Sequence, residues 1–228
     1  MLPTDHPTHT AAVRERLAQL AADRDVILKA GMKVLGSSGS NMYTLDFLVM
    51  GTVKRYLSTA SAFQLLIETW NLVCARSLLR MHIDTGLRFS AAWLVKDPHA
   101  FASAVLGGAR IDQIRDINGK RLSDAHLVQV RSAEYPWLPA VYKSLSGYVH
   151  FSGAHIFDSI ATMDEETRTL HFTLSETDEK FPEFSRLEVT ECLIEATKLL
   201  GRYLLGYAAT KHGIDADPAN GASSEPAG

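Results

Sequence analysis

Residues 135–155 read YPWLPAVYKSLSGYVHFSGAH, and no other run in the chain combines aromatics, prolines, glycines, hydroxyls and histidines so densely. Pro136 and Pro139 suit a first helical turn, where a missing N–H has no partner to lose. From there Leu138, Val141, Tyr142, Leu145, Tyr148 and Val149 recur at helical spacing. The run predicts a helix that stops at Gly153, with His155 opening an extended segment. Tyr142, Ser146 and His150 step by four and form one row along that helix. Gly147 lets a neighbouring backbone or a ligand come close. As chemistry, the row with His155 beside it faces a cleft, and His150 carries a proton near neutral pH. As structure, Ser146 bonds back to its own helix carbonyl and His150 pairs with another side chain.

Upstream, Thr10 caps a helix running to about Leu35, with Val13, Leu17, Leu20, Ile27, Leu28 and Val34 as its apolar stripe. GSSGSN (36–41) is a helix–helix connection. A second helix covers 43–57, and 58–62 interrupts or continues it. A long helix over 62–95 would span ~50 Å, enough for the spine of a bundle. Along it Arg76, Arg80, Asp84 and Arg88 follow one another every four residues. They serve either as i,i+4 ion pairs on an exposed face or as arginine donors aimed at a phosphate or carboxylate, with Asp84 orienting one of them. Asp97–Pro98 starts a short helix that ends at Gly107–Gly108. Asn118–Gly119 is a tight turn, and Ser123 caps a helix to about Ala133.

Downstream the period changes. Leu170, Phe172 and Leu174 alternate with Thr169, His171 and Thr173, a strand pattern, with 156–162 as its partner across an acidic turn. Ser185 with Glu188 is a capping box for a last helix reaching about Lys211. The expected architecture is mainly α, a multi-helix bundle over 10–212 with one small β-hairpin (about 155–174) before the C-terminal helix. Residues 1–9, with His6 and His9 solvated, and 213–228 flank it as a flexible N-terminus and a disordered tail.

Composition narrows the function. The chain has 228 residues, 46% of them hydrophobic, which suits one globular domain. A net charge of −3 gives no overall field for nucleic acid. Cys74 and Cys192 lack metal spacing, and no apolar run is long enough to cross a bilayer, so a cytoplasmic setting with no membrane partner is expected. Phosphate loops, dinucleotide fingerprints, nucleophile elbows and zinc motifs are absent from the sequence, and no cofactor is expected. His150 and His155, with His82, Asp84 or Asp158, are a thin metal lead, and the expectation is no metal. Metal-independent RNA cleavage needs an Arg on the phosphate and a His to move a proton. The HEPN type places an Arg four to six residues before a His, and Arg76–His82 and Arg121–His126 fit loosely. Ser77 only partly matches the polar residue that follows the family's Arg, and Leu122 does not.

Asn71 with LLRMHIDTGLR (78–88), GARIDQIRDINGKRLSDAHLV (108–128) and the run at 135–155 resemble a group of uncharacterised bacterial helical-bundle proteins, some of whose relatives are HEPN-like. The resemblance spans about 71–155. It implies the helical fold, and that Arg80, Asp84, Arg88, Ser146 and His150 form one constellation. The expected site is therefore catalytic His150, Arg80, Asp84 and Ser146, with Arg76, Arg88, Tyr142 and His155 binding. Arg121 and His126 are the alternative catalytic pair. The expected function is a binding or interaction protein, self-associating as a homodimer. The alternative is a HEPN-like ribonuclease or toxin, the only reading in which RNA is a partner.

Overall fold

The computed structural model describes residues 7–213. It is mainly α. Four long helices, α1 (Ala11–Leu35), α2 (Thr44–Glu68), α3 (Leu72–Ser90) and α8 (Glu183–His212), close a ring around the core. Each buries a stripe, such as Leu20 and Ile27, Tyr56 and Phe63, Leu79 and Leu87, Leu200 and Leu204. Contacts from Arg16 to Glu191, Trp70 to Arg186 and His82 to Thr197 set α1, α3 and α8 parallel, with α2 running against them. Gly86 permits the α3–α8 approach: a Cβ there would sit 3.1 Å from Leu199 Cδ2.

The chain between α3 and α8 wraps the outside. A 3-10 turn (Ala91–Trp93) leads to α4 (Pro98–Leu106), which packs on α2. After a second 3-10 turn (Ile111–Gln113), α5 (Asp124–Arg131) and α6 (Leu138–Val149) pack on α3. Then come α7 (Gly153–Ser159) and the antiparallel hairpin β1 (Ile160–Asp164) and β2 (Thr169–Phe172). The hairpin before the last helix is as expected, but its first strand starts later because 153–159 is helical.

Several boundaries differ, each for a physical reason. The helix expected over 62–95 is two helices. Trp70 sits at φ 60°, the left-handed region. Asn71 then caps α3 through Cys74 N–H, and Asp178 accepts from Leu72 N–H at 2.7 Å and Val73 N–H at 3.0 Å. The main partner that makes the break lies more than a hundred residues away. The helix expected to stop at Gly153 ends at Val149, with His150 extended. Ser152 donates to Gly147 O at 2.9 Å and accepts from Ala154 N–H, so it closes α6 and caps α7. Gly153 therefore opens a helix, and His155 is helical. The last helix starts at Glu183, ahead of the Ser185–Glu188 box.

Residues 7–9 join the bundle. The His9 ring stacks on Trp70 at 4.5 Å, Trp70 Nε1 donates to Pro7 O, and Arg186 covers Trp70 at 4.0 Å. Burial holds the His9 pKa below its ordinary value, and Arg186 adds to this. The expectation for His6 and nearly all of 213–228 lies outside the described residues.

Where α2 begins and α8 ends, Asp46 is fully buried. Its Oδ2 accepts from Lys211 Nζ at 2.7 Å and from Tyr43 N–H, and its Oδ1 accepts from the Tyr207 hydroxyl at 2.9 Å. Burial pushes the Asp46 carboxyl up, but Lys211 and the other two donors outweigh it and hold it below the usual carboxylate range.

Candidate functional site

The α3–α6 contact fixes where the expected residues go. Arg76 on α3 meets Tyr148, whereas Asp84 meets Tyr142, so the two helices run antiparallel. The Arg80 guanidinium lies 3.4 Å from the centre of the Tyr142 ring and pairs with Asp84 Oδ2. The Tyr142 hydroxyl donates to Asp84 Oδ1 at 3.0 Å. Burial, and then the Asp84 charge, push the Tyr142 phenol far above its ordinary pKa, so it stays a donor. Arg80, Asp84 and Tyr142 thus form one cluster.

Ser146 donates to Tyr142 O at 2.9 Å, its own helix carbonyl, and brings no nucleophile to the cluster. His150 is exposed at the end of α6, ~12 Å along the helix from Tyr142 and beyond the level of Arg76. The structure does not bring His150 to Arg80. His155 stacks on Phe151 and meets the edge of Tyr148. Arg76 bonds the Tyr148 hydroxyl at 2.6 Å and Asp158 at 3.3 Å, a separate group at the hairpin end of α3. Burial pushes the Tyr148 phenol up to about 12.

The two Arg–His pairs fare differently. His82 is sealed on the far face of α3, its Nε2 3.1 Å from Thr197 Oγ1. Burial lowers its pKa to about 4, so it is neutral at physiological pH. His126 gives Nε2 to Asp116 at 2.8 Å. Burial works to raise the Asp116 carboxyl, but the His126 ring and the Lys120 and Asn118 amides bring it below its usual range. Arg121 is exposed and pairs through its backbone with Arg115. Among the described residues, no three His, Cys, Asp or Glu side chains gather as metal ligands.

The opening beside the cluster is a cleft of about 350 Å³ between α2, α3 and the end of α4. Asp84 and Arg88 form its α3 wall, and Phe47, Phe89, Leu106 and Ile111 give it apolar surface. Arg88 holds Asp124 through both of its oxygens at 3.1 Å, which neutralises it. Asp84 is neutralised by Arg80. Among the described residues no carboxylate pairs with the remaining charge, Arg55 on α2, which the sequence reading did not single out. Its Nε donates to Thr85 Oγ1 at 2.9 Å, and the Thr85 hydroxyl donates to Met81 O. That bond steers the guanidinium and leaves both Nη groups available. One turn earlier, Gly51 lines the same cleft, and a Cβ built there meets nothing within 4 Å. A glycine inside a helix costs about 1 kcal/mol relative to alanine. A Gly–Arg pair four apart in the middle of a helix, on one face of it, is the signal that could have found this wall.

Compared with protein families, with curated proteins and with solved structures, the chain finds no match. No described helix is long and apolar enough to cross a membrane.

Proposed function

We propose that the protein is a binding protein, that its α2–α3–α4 cleft takes a small amphipathic anion, and that it works as a homodimer. The observation that carries the cleft reading is Gly51. Gly51, exposed in the middle of α2, carries no side chain where one would fit, and the space left open beside it belongs to the cleft. The volume is at the lower end for small-molecule sites, which combine apolar walls with a few placed polar groups. Arg55 supplies the anion contact, Phe47 and Leu106 cover the apolar portion, and the Arg80–Asp84–Tyr142 cluster keeps the α3 wall rigid. A carboxylate or phosphate monoester on a short alkyl chain has the matching chemistry. The ribonuclease alternative requires an arginine and a histidine presented together. His82 is sealed and His126 is engaged by Asp116, so the geometry lends that reading no support.

Isothermal titration with octanoate and with octyl phosphate tests the cleft. Saturable one-to-one binding is expected, weakened at least tenfold in Arg55→Gln, with octanol binding no better than that variant. Equal affinity in wild type and Arg55→Gln overturns the assignment of the anion to Arg55.

A further inference from the structure

The apolar side chains left outside the bundle concentrate on the hairpin and α7. β1 pairs Ile160 with Phe172, Thr162 with His171, Met163 with Leu170 and Asp164 with Thr169, with a bulge between Ile160 and Thr162. In a regular strand Ile160 and Met163, three apart, would face opposite ways. The extra residue puts both on the face of Leu170 and Phe172, and leaves Thr162, His171, Asp164 and Thr169 on the other. The bulge therefore builds a two-stranded sheet with one wholly apolar face. Among the described residues nothing covers that face: Met163 is 60% exposed, Phe172 55%, and Leu174, just past the end of β2, 89%. Beside it on α7, Ile156 is 53% exposed and Phe157 72%. Among the described residues the hydrogen bonds that tie the hairpin to the rest of the chain lie at its base, from Thr173 N–H to Ser159 O and from Lys180 to Ile160 O. A two-stranded sheet is marginal by itself and needs further strands or packing.

We infer that the apolar face of this hairpin, with Ile156 and Phe157 of α7, is the surface through which two copies of the chain associate. This rests on the homodimer reading above and names its surface. Residues 214–228 have one large apolar side chain, Ile214, too little to cover the face. A bilayer is a poor match, because the turn beside the face carries Asp164, Glu165 and Glu166 against one Arg168, and anionic headgroups repel it. The exposed apolar area, roughly 700 Å² taking ~150–250 Å² for a whole large side chain, is close to the ~800 Å² per partner of a stable interface. Two copies stacked face to face, ~10 Å apart, give a four-stranded, two-layer core.

Sedimentation velocity of the full chain at micromolar concentration tests this, with thermal unfolding as the fold control. Wild type is expected to be a dimer. Phe172→Ser with Leu174→Ser is expected to raise the dimer dissociation constant at least tenfold with the helical transition unchanged. Thr162→Ser with His171→Ser, on the polar face, is expected to leave it unchanged. A dimeric wild type whose apolar-face variant is equally dimeric overturns this surface and leaves the homodimer reading standing. A monomeric wild type overturns both, and its flotation with phosphatidylcholine vesicles would assign the face to a bilayer instead.

Discussion

Asp46, Lys211 and Tyr207 at one end of the bundle and Arg80, Asp84 and Tyr142 on its flank are the same device built twice. In each, a carboxylate gives one oxygen to a phenol, at 2.9 Å and 3.0 Å, and the other to a cation. The surroundings differ. The Lys211 and Asp46 side chains are 4% and 0% exposed, while those of Arg80 and Asp84 are 10% and 19% exposed and Asp84 borders an open cleft. The sealed copy holds the start of α2 to the end of α8. The half-open copy stiffens a wall that faces solvent. Chemistry alone therefore does not separate a structural cluster from a site; access to water does.

The sharpest way to break this contrast is to remove the cation from each copy. Lys211→Met leaves a carboxylate sealed without a counter-charge and should cost about 3–5 kcal/mol in urea unfolding. Arg80→Met leaves Asp84 within reach of water and should cost about 1–2 kcal/mol. Equal losses would erase the distinction.

pH gives the next largest effect and separates the sealed groups from one another. The folded pKa of His82, about 4, lies below its ordinary 6.5, so the unfolded chain takes up a proton first. Its contribution is complete above about pH 6.5 and drains away as pH falls to about 4, a loss on the order of 3 kcal/mol. The Asp46 carboxyl, also held below its ordinary 3.8, keeps its contribution above about pH 4 and loses it only in stronger acid. His82→Leu should remove most of the slope between pH 6.5 and 4, leaving the share of His9, whose pKa is also lowered, and the lower slope. A wild-type stability flat from pH 7 to 4 would contradict the sealed state of His82. The smallest effect is that of the phenols: Tyr142→Phe should cost about 1 kcal/mol and Tyr207→Phe about 2 kcal/mol, both hydrogen bonds being to a charged group. The reverse order would place the better-sealed cluster on the flank.

Much of the scaffold was legible in local pattern. Thr10, Asp97 and Ser123 cap helices as their residue types suggest, and the strand alternation of Leu170 and Phe172 marked the hairpin. Where structure depends on distant partners, the reading failed. Asp178 caps α3 from across the fold, so an apolar run looked like one continuous helix. Ser152 ends α6 early through a local bond to Gly147 O that the residue types did not announce, and His150, about two turns beyond Tyr142, falls past the cluster it was expected to complete. The resemblance grouped Arg80 and Asp84 with Ser146 and His150, but the α6 residue they meet is Tyr142, from the same row. Lys211 with Asp46, 165 residues apart, left no local trace, and Arg55 was overlooked because its meaning comes from the empty position at Gly51.

The cleft itself is tested most directly by filling it. Gly51→Leu places a side chain in the open space on the α2 side of the cleft and exchanges glycine for a strong helix former, so it should leave the melting temperature equal or higher. Octanoate titrated into wild type and Gly51→Leu side by side should bind the first saturably and the second not at all. Undiminished binding by a well-folded Gly51→Leu protein, or none by wild type, would contradict the account.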